Sequence, residues 1–269
     1  MSNLELAPEV ERFYSETVDE SERLSIAADG RLELIRTQEL LRRYLPPAPA
    51  KILDVGGGPG AHARWLVEDG YEVDLVDPIA RHVEQASSIC RASIGDARHL
   101  DAADDSYDVV LLLGPLYHLP DPADRRQALA EARRVVRPGG LVAAAAINRY
   151  ASLFEHAALA HLHTERMQAS ISEILRTATY DGNRGFTLAY FHRAEELADE
   201  LCQSGLSEVD VLGIEGPAWS LLKAVENYSE GLSTESLFNS VLAAARIAES
   251  HSELLAASSH LLAMGRCGM

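Results

Sequence analysis

A doubly wound α/β fold, with a mostly parallel sheet between layers of helices, is what this sequence predicts. Between residues 51 and 147, short apolar strands alternate with helical segments. The run Tyr107–Leu113 (YDVVLLL) is too continuously apolar for a strand wetted on one face, and reads as a central parallel strand buried on both. A glycine-rich turn, Asp54-Val55-Gly56-Gly57-Gly58-Pro59-Gly60, links the first strand to the helix after it. Such alternation implies right-handed crossovers, which put helices on both faces of the sheet.

Residues 1–45 read as helical. Leu32, Ile35, Leu40, Leu41 and Tyr44 recur near the 3.6-residue period, and Pro46-Pro47-Ala48-Pro49 ends the segment. Lys51–Val55 is the first strand, followed by a helix over Ala61–Asp69. Glu72–Val76 is the second strand, with a helix from Ile79 to Cys90, and Ala92–Ile94 is a brief third strand. After the fourth strand, a helix over Ala123–Val136 stops at Arg137-Pro138-Gly139-Gly140, and Leu141–Ile147 is the fifth strand. Residues 150–178 read as helical and 180–192 as an aromatic loop or hairpin. Ala194–Ser204 is a helix ended by Gly205, Ser207–Leu212 a sixth strand, Pro217–Ser250 mostly helical, and His260–Gly265 a last strand.

With 269 residues, 47% of them hydrophobic, the chain has ample material for a core. Its 24 basic and 41 acidic residues give a net charge of −17, which repels phosphate backbones and argues against a nucleic-acid partner. Three scattered cysteines form no CxxC pair, so neither a zinc site nor a disulfide framework is expected. No apolar run approaches the ~18–20 residues of a membrane span. These features lead to the expectation of a cytoplasmic protein with no membrane association and no metal.

Glycines let the backbone turn tightly and approach a ligand, and the following helix offers unpaired N–H groups. At the first strand of such a sheet this is where nucleotide-like cofactors bind. Gly56, Gly58 and Ala61 satisfy the dinucleotide pattern GxGxxA; Asp54, Gly56, Gly58 and Gly60 satisfy D-x-G-x-G-x-G. On the second pattern the sequence resembles the class I S-adenosylmethionine-dependent methyltransferases. The resemblance extends through Asp77-Pro78 after the second strand, Gly95-Asp96-Ala97 after the third, Leu113-Gly114 within YDVVLLLGPLYHL, and RVVRPGG before the fifth. It covers residues 50–147 strongly, extends more weakly through the helix Ala194–Ser204 with Gly205 and the sixth strand, and does not cover the first 45 residues or the two insertions. It implies a Rossmann-like, seven-stranded, mostly parallel sheet, with residues 1–49 as a helical lid and 50–269 as the core, carrying helical insertions near 150–192 and 214–257.

The resemblance further implies S-adenosylmethionine as cofactor and S-adenosylhomocysteine as product. Asp54, Gly56, Gly57, Gly58, Gly60, Asp77, Pro78, Asp96, Ala97, Leu113 and Gly114 are its cofactor-binding positions, Asp77 for the ribose and Asp96-Ala97 near the adenine. In the N-terminal segment, Phe13, Tyr14, Arg23 and Arg36 fall on a helix that folds over the cofactor; an ion pair of Arg36 with Glu33 is the alternative. Tyr117 and His118 follow the fourth strand at the active edge and are the candidate bases. Tyr14, Tyr180, Tyr190 and His192 are candidate acceptor contacts. The acceptor expected is a small molecule methylated on O or N. A cofactor-binding protein without methyl transfer and an NAD-dependent oxidoreductase stay open, although no Tyr-x-x-x-Lys pair is present for hydride transfer. The helical face of 217–250 could pair two chains as a homodimer.

Overall fold

The computed structural model describes residues 7–17, 24, 27–182, 186–228 and 235–268. Arg23 and parts of the 180–192 and 217–250 segments lie outside them. Helix α1 (Pro8–Arg12) continues as a π-helical turn over Phe13–Thr17, and α2 (Ala28–Tyr44) leads to β1 (Lys51–Val55). Then follow α3 (Ala61–Glu68), β2 (Glu72–Asp77), α4 (Ala80–Ala86), β3 (Arg91–Ile94), β4 (Tyr107–Leu112), α5 (Pro122–Val135) and β5 (Val136–Ile147). The remainder comprises α6 (Ala151–Ala158), α7 (Glu165–Thr177), β6 (Thr179–Asp181), β7 (Leu188–Tyr190), α8 (Ala194–Gln203), β8 (Leu206–Gly213), α9 (Trp219–Tyr228), α10 (Glu235–Ala248), α11 (Ser252–Leu255) and β9 (His260–Cys267).

The main sheet has seven strands in the order β3-β2-β1-β4-β5-β9-β8. The strands from β3 to β5 run parallel, and β9 is antiparallel to both its neighbours. The aromatic segment resolves as a separate hairpin, β6–β7. β4 explains its own sequence. Val110 and Leu112 enter the core beneath α5 and α8, while Val109 and Leu111 enter the opposite core beneath α2, α3 and α4. A strand buried on both faces needs no polar alternation.

Two boundaries differ from the sequence expectation. β5 begins at Val136 rather than Leu141. Val136 pairs with Tyr107 and Leu141 with Val109, so residues 137–140 bulge out between those two pairs. The helical stretch 150–178 breaks after Ala158, where Ala160 takes a left-handed conformation (φ 53°) that ends α6.

A third cluster, Leu32, Trp219, Leu222, Phe238, Val241 and Leu242, packs α2 against α9 and α10. Arg36 is fully buried there, pairing with Glu39 and Glu249 and donating to the Ile214 carbonyl. It therefore pairs neither with Glu33 nor with anything in the candidate site. Among the described residues, no helix is long and apolar enough to cross a membrane.

Leu111 is fully buried between β1 and β5. Leu111→Ala should cost about 2–5 kcal/mol, read as a lower urea midpoint at unchanged slope. Ile247→Ala, at a residue 72% exposed, should stay within about 0.5 kcal/mol of the parent.

Candidate active site

Parallel pairing brings the ends of β1, β2 and β4 to one edge, where a cavity of about 370 Å³ opens. Its size falls within the ~300–1,000 Å³ of small-molecule sites. The glycine turn forms its floor. Gly56, Gly58 and Gly60 all take positive φ (68°, 57° and 90°). A Cβ on Gly56 would lie 2.7 Å from Pro115 Cγ, so β1's turn and β4's turn touch only because that side chain is missing. A Cβ on Gly58 would meet nothing within 4 Å. Bare backbone is presented there to open space.

Carboxylates surround this turn. Asp77, ending β2, accepts from the Gly58 N–H (2.9 Å) and the Ile79 N–H (2.9 Å), and lies 3.1 Å from His82 Nδ1. It thus ties the glycine turn to β2. A carboxylate has about four acceptor positions, so Asp77 retains capacity for a ligand. Asp96 is held by Arg98, whose backbone N–H and guanidinium both donate to it; Arg98 also reaches Asp124 at 3.0 Å.

Asp54 is fully buried, and neither carboxylate oxygen has a hydrogen-bond partner. Burial, and then the Asp77 charge, push its pKa up to about 7.

Aromatic groups form the facing wall. The Tyr14 hydroxyl lies 2.8 Å from His118 Nε2, and His118 Nδ1 lies 3.3 Å from the Leu188 carbonyl. A carbonyl only accepts, so Nδ1 carries the ring proton and Nε2 accepts from Tyr14. Burial pushes the His118 pKa down to about 4, making the ring neutral at pH 7. Tyr117 packs edge-on to His118 at 4.6 Å between centroids, and Phe13 and Phe186 pack beside the pair.

The cavity brings together Asp54, Gly56, Gly57, Gly58, Asp77, Pro78, Asp96, Ala97, Leu113, Gly114, Tyr117, His118 and Tyr14. Gly60 sits just behind it, capping α3.

Tyr180, Tyr190 and His192 do not line the cavity, which corrects the expectation that they face an acceptor there. Tyr190 lies beneath the Arg125 guanidinium (3.8 Å), and His192 is fully buried with Nε2 3.2 Å from Glu200. Tyr180 packs into the hairpin's own core with Ile171 and Ile174. The reason is backbone pairing: the His192 N–H donates to the Ile147 carbonyl, which binds the hairpin's end to β5 and turns these side chains inward.

Arg98, His82, Glu33, Pro115 and Leu188 also line the cavity, at positions outside the motif pattern. Only Arg98 and Pro115 had a local signal, as close neighbours of Asp96 and Gly114. The others are delivered by helix packing and the hairpin.

A methyltransferase-domain family matches residues 52–140. A ubiquinone biosynthesis O-methyltransferase of Roseobacter denitrificans is 31% identical over 68% of this chain and 73% of its own length. The methyltransferase GfsG of Streptomyces halstedii is 36% identical over 41% of this chain; that match spans 42% of the relative's length. Among solved structures, a methyltransferase of Thermotoga maritima described as a possible histamine N-methyltransferase superposes with a TM-score of 0.60 at 18% identity, covering 96% of this chain and 98% of that one. The chain belongs to the class I S-adenosylmethionine-dependent methyltransferase family.

Gly56→Ala adds both the Pro115 clash and the positive-φ strain, and should destabilise by about 1–3 kcal/mol in thermal unfolding. Asp54 makes a pH prediction. Its folded value lies above the ordinary 3.8, so the folded protein holds more protons than the unfolded chain between 3.8 and about 7. Its contribution is therefore present at low pH and lost as pH rises through that window. Asp54→Asn should flatten this fall in urea unfolding across a pH series.

Proposed function

We propose that this protein transfers the methyl group of S-adenosylmethionine to an oxygen or nitrogen of a small-molecule acceptor. The observation that carries the reading is the Gly56–Gly60 turn, whose bare backbone at Gly58 faces open space beside Asp77. This cradle suits a nucleoside: Asp77 would take the ribose hydroxyls, Asp96 and Ala97 the adenine, and Leu113 with Gly114 the methionine part. The unpartnered Asp54 suits a cofactor that brings positive charge. When bound, S-adenosylmethionine supplies a methyl already electrophilic on its sulfonium, so alignment and exclusion of water are the protein's main tasks. Alignment alone is worth ~7–11 kcal/mol.

His118 is the proposed proton acceptor, receiving the acceptor's proton through the Tyr14 hydroxyl that donates to its Nε2, and Tyr117 shapes its surroundings. A pKa of about 4 makes it a weak base. An acceptor oxygen that has bonded to the incoming carbon is positively charged and far more acidic than that imidazolium, so a weak base suffices late in the transfer, whereas a neutral amine nitrogen needs no base to accept the methyl. The Tyr14–His118 hydrogen bond draws the N-terminal segment across the cavity, which supports a lid role for residues 1–49. The acidic net charge supports a partner other than nucleic acid, and the scattered cysteines with no CxxC pair support a cytoplasmic location. The apolar face of α9 and α10 packs against α2, so the surface we assign to any homodimer is their outer side, where Leu221 and Ile247 are exposed.

Thermal-shift titration with S-adenosylmethionine, S-adenosylhomocysteine and NAD tests the cofactor. The first two should raise the melting temperature and NAD should not; the reverse would overturn the reading. In methyl-transfer assays His118→Ala should lower kcat by about 10²-fold or more. Its stabilisation by S-adenosylhomocysteine should persist.

A further inference from the structure

Asp54 lies at the floor of the cavity, with both carboxyl oxygens buried and neither hydrogen-bonded. A Cβ on Gly57 would fall 2.6 Å from Asp54 Oδ2 and 2.6 Å from Leu75 Cδ1. The carboxyl is therefore wedged between the glycine turn and an apolar side chain of β2, out of reach of solvent.

None of the described titratable groups around it forms an ion pair or hydrogen bond with it. From β2, Asp77 adds a second negative charge. From α4, His82 is turned to Asp77, 3.1 Å from its carboxylate. After α4, burial, and then the charges of Asp54 and Asp74, push the Cys90 thiol up to about 11, so it stays neutral near pH 7. From α3, His62 accepts from the Trp65 indole (3.2 Å). Beyond β4, His118 is neutral. Among the described residues that line the cavity, Arg98 is the one lysine or arginine, and Asp96 and Asp124 hold it. In the free protein Asp54 therefore relieves the cost of its burial by taking up a proton, with a pKa pushed up to about 7.

We propose that Asp54 gives up that proton to solvent when S-adenosylmethionine binds, and that the site thereby distinguishes the charged cofactor from its uncharged-sulfur product. This rests on the methyltransferase reading above and assigns Asp54 the choice between substrate and product. The two molecules differ by one positive charge, on sulfur. A carboxylate shielded from water feels such a charge with little screening. The cofactor's charge therefore favours ionised Asp54, and ionised Asp54 favours the cofactor. Once the methyl has left, Asp54 takes a proton back from solvent, and its attraction for the bound molecule falls. The sign follows from the buried carboxyl: the ionised fraction grows as pH rises, so the preference for S-adenosylmethionine over S-adenosylhomocysteine grows with pH and fades in acid.

Calorimetric titration at pH 7 in phosphate and in imidazole, buffers with different ionisation enthalpies, counts the protons exchanged on binding. S-adenosylmethionine should release about half a proton more from the parent than from Asp54→Asn, and S-adenosylhomocysteine should show a smaller difference. The cofactor's own amino group titrates alike with both proteins, so the difference between them reports Asp54. Between pH 6 and pH 8 the parent's preference for S-adenosylmethionine over S-adenosylhomocysteine should rise several-fold, up to about tenfold, beyond any change in Asp54→Asn. Asp54→Asn should bind S-adenosylhomocysteine at pH 6 about as tightly as the parent, which also reports that it folds. Asp54→Glu, which keeps a titrating carboxyl, should retain part of both effects and serves the same comparison. Equal proton counts for parent and Asp54→Asn, or a preference that varies with pH to the same extent in both, would overturn the proposal. Failure of S-adenosylmethionine and S-adenosylhomocysteine alike to bind the parent would instead sink the methyltransferase reading.

Discussion

The close approach of two turns at the sheet edge sets the geometry of everything above it. β1 and β4 are hydrogen-bonded neighbours, so the loops leaving them must emerge side by side. A Cβ on Gly56 would strike Pro115, and one on Gly114 would come within 3.3 Å of the Gly56 carbonyl. With glycine at both places the loops pack backbone to backbone. That contact puts Tyr117 and His118 directly across from the glycine turn, and the cavity is the space left between them. Side chains of any size here would spread the loops and move the aromatic wall away from the carboxylates.

Electrostatics around the turn are unevenly settled. Asp77 is well supported by two backbone N–H groups and His82, and Asp96 by the Arg98 fork. Asp54 has no hydrogen-bond partner, although it is the most buried of the three. Burying an unpaired carboxylate is costly, and the site lowers that cost by raising its pKa toward neutrality. The same logic in reverse governs His118, where burial favours the neutral ring and one carbonyl selects its tautomer. Local stability is thus traded at Asp54 for a carboxyl whose pKa lies near neutrality, while His118 is held in its neutral form.

The segments outside the sheet contribute through a few side chains each. The N-terminal turn brings Tyr14, α2 brings Glu33, and the hairpin brings Leu188 and Phe186. The hairpin's other aromatics serve its attachment to β5, and Arg125 and Glu200 are drawn into the same buried network. Aromatic composition alone does not distinguish a ring that faces a cavity from one that anchors a hairpin. Period-two alternation and one backbone hydrogen bond at His192 make that choice.

The alternation of strands and helices, the buried character of β4, and the glycine turn with its following carboxylates are all written in local sequence. A strand's hydrophobic pattern and a turn's need for positive φ are properties of a few consecutive residues, so Gly56, Asp77, Asp96 and His118 were legible as a series of strand-end positions. Tertiary structure alone decided that Arg36 binds Glu249 rather than Glu33, that Tyr190 and His192 turn inward, and that Glu33, Glu215 and His260 converge. Those residues are separated by up to 227 positions (260 − 33). Their meeting depends on how α2 packs over β9 and on the antiparallel return of the last strand. Such long-range packing is set by the sum of many weak contacts, and no short stretch of sequence encodes it.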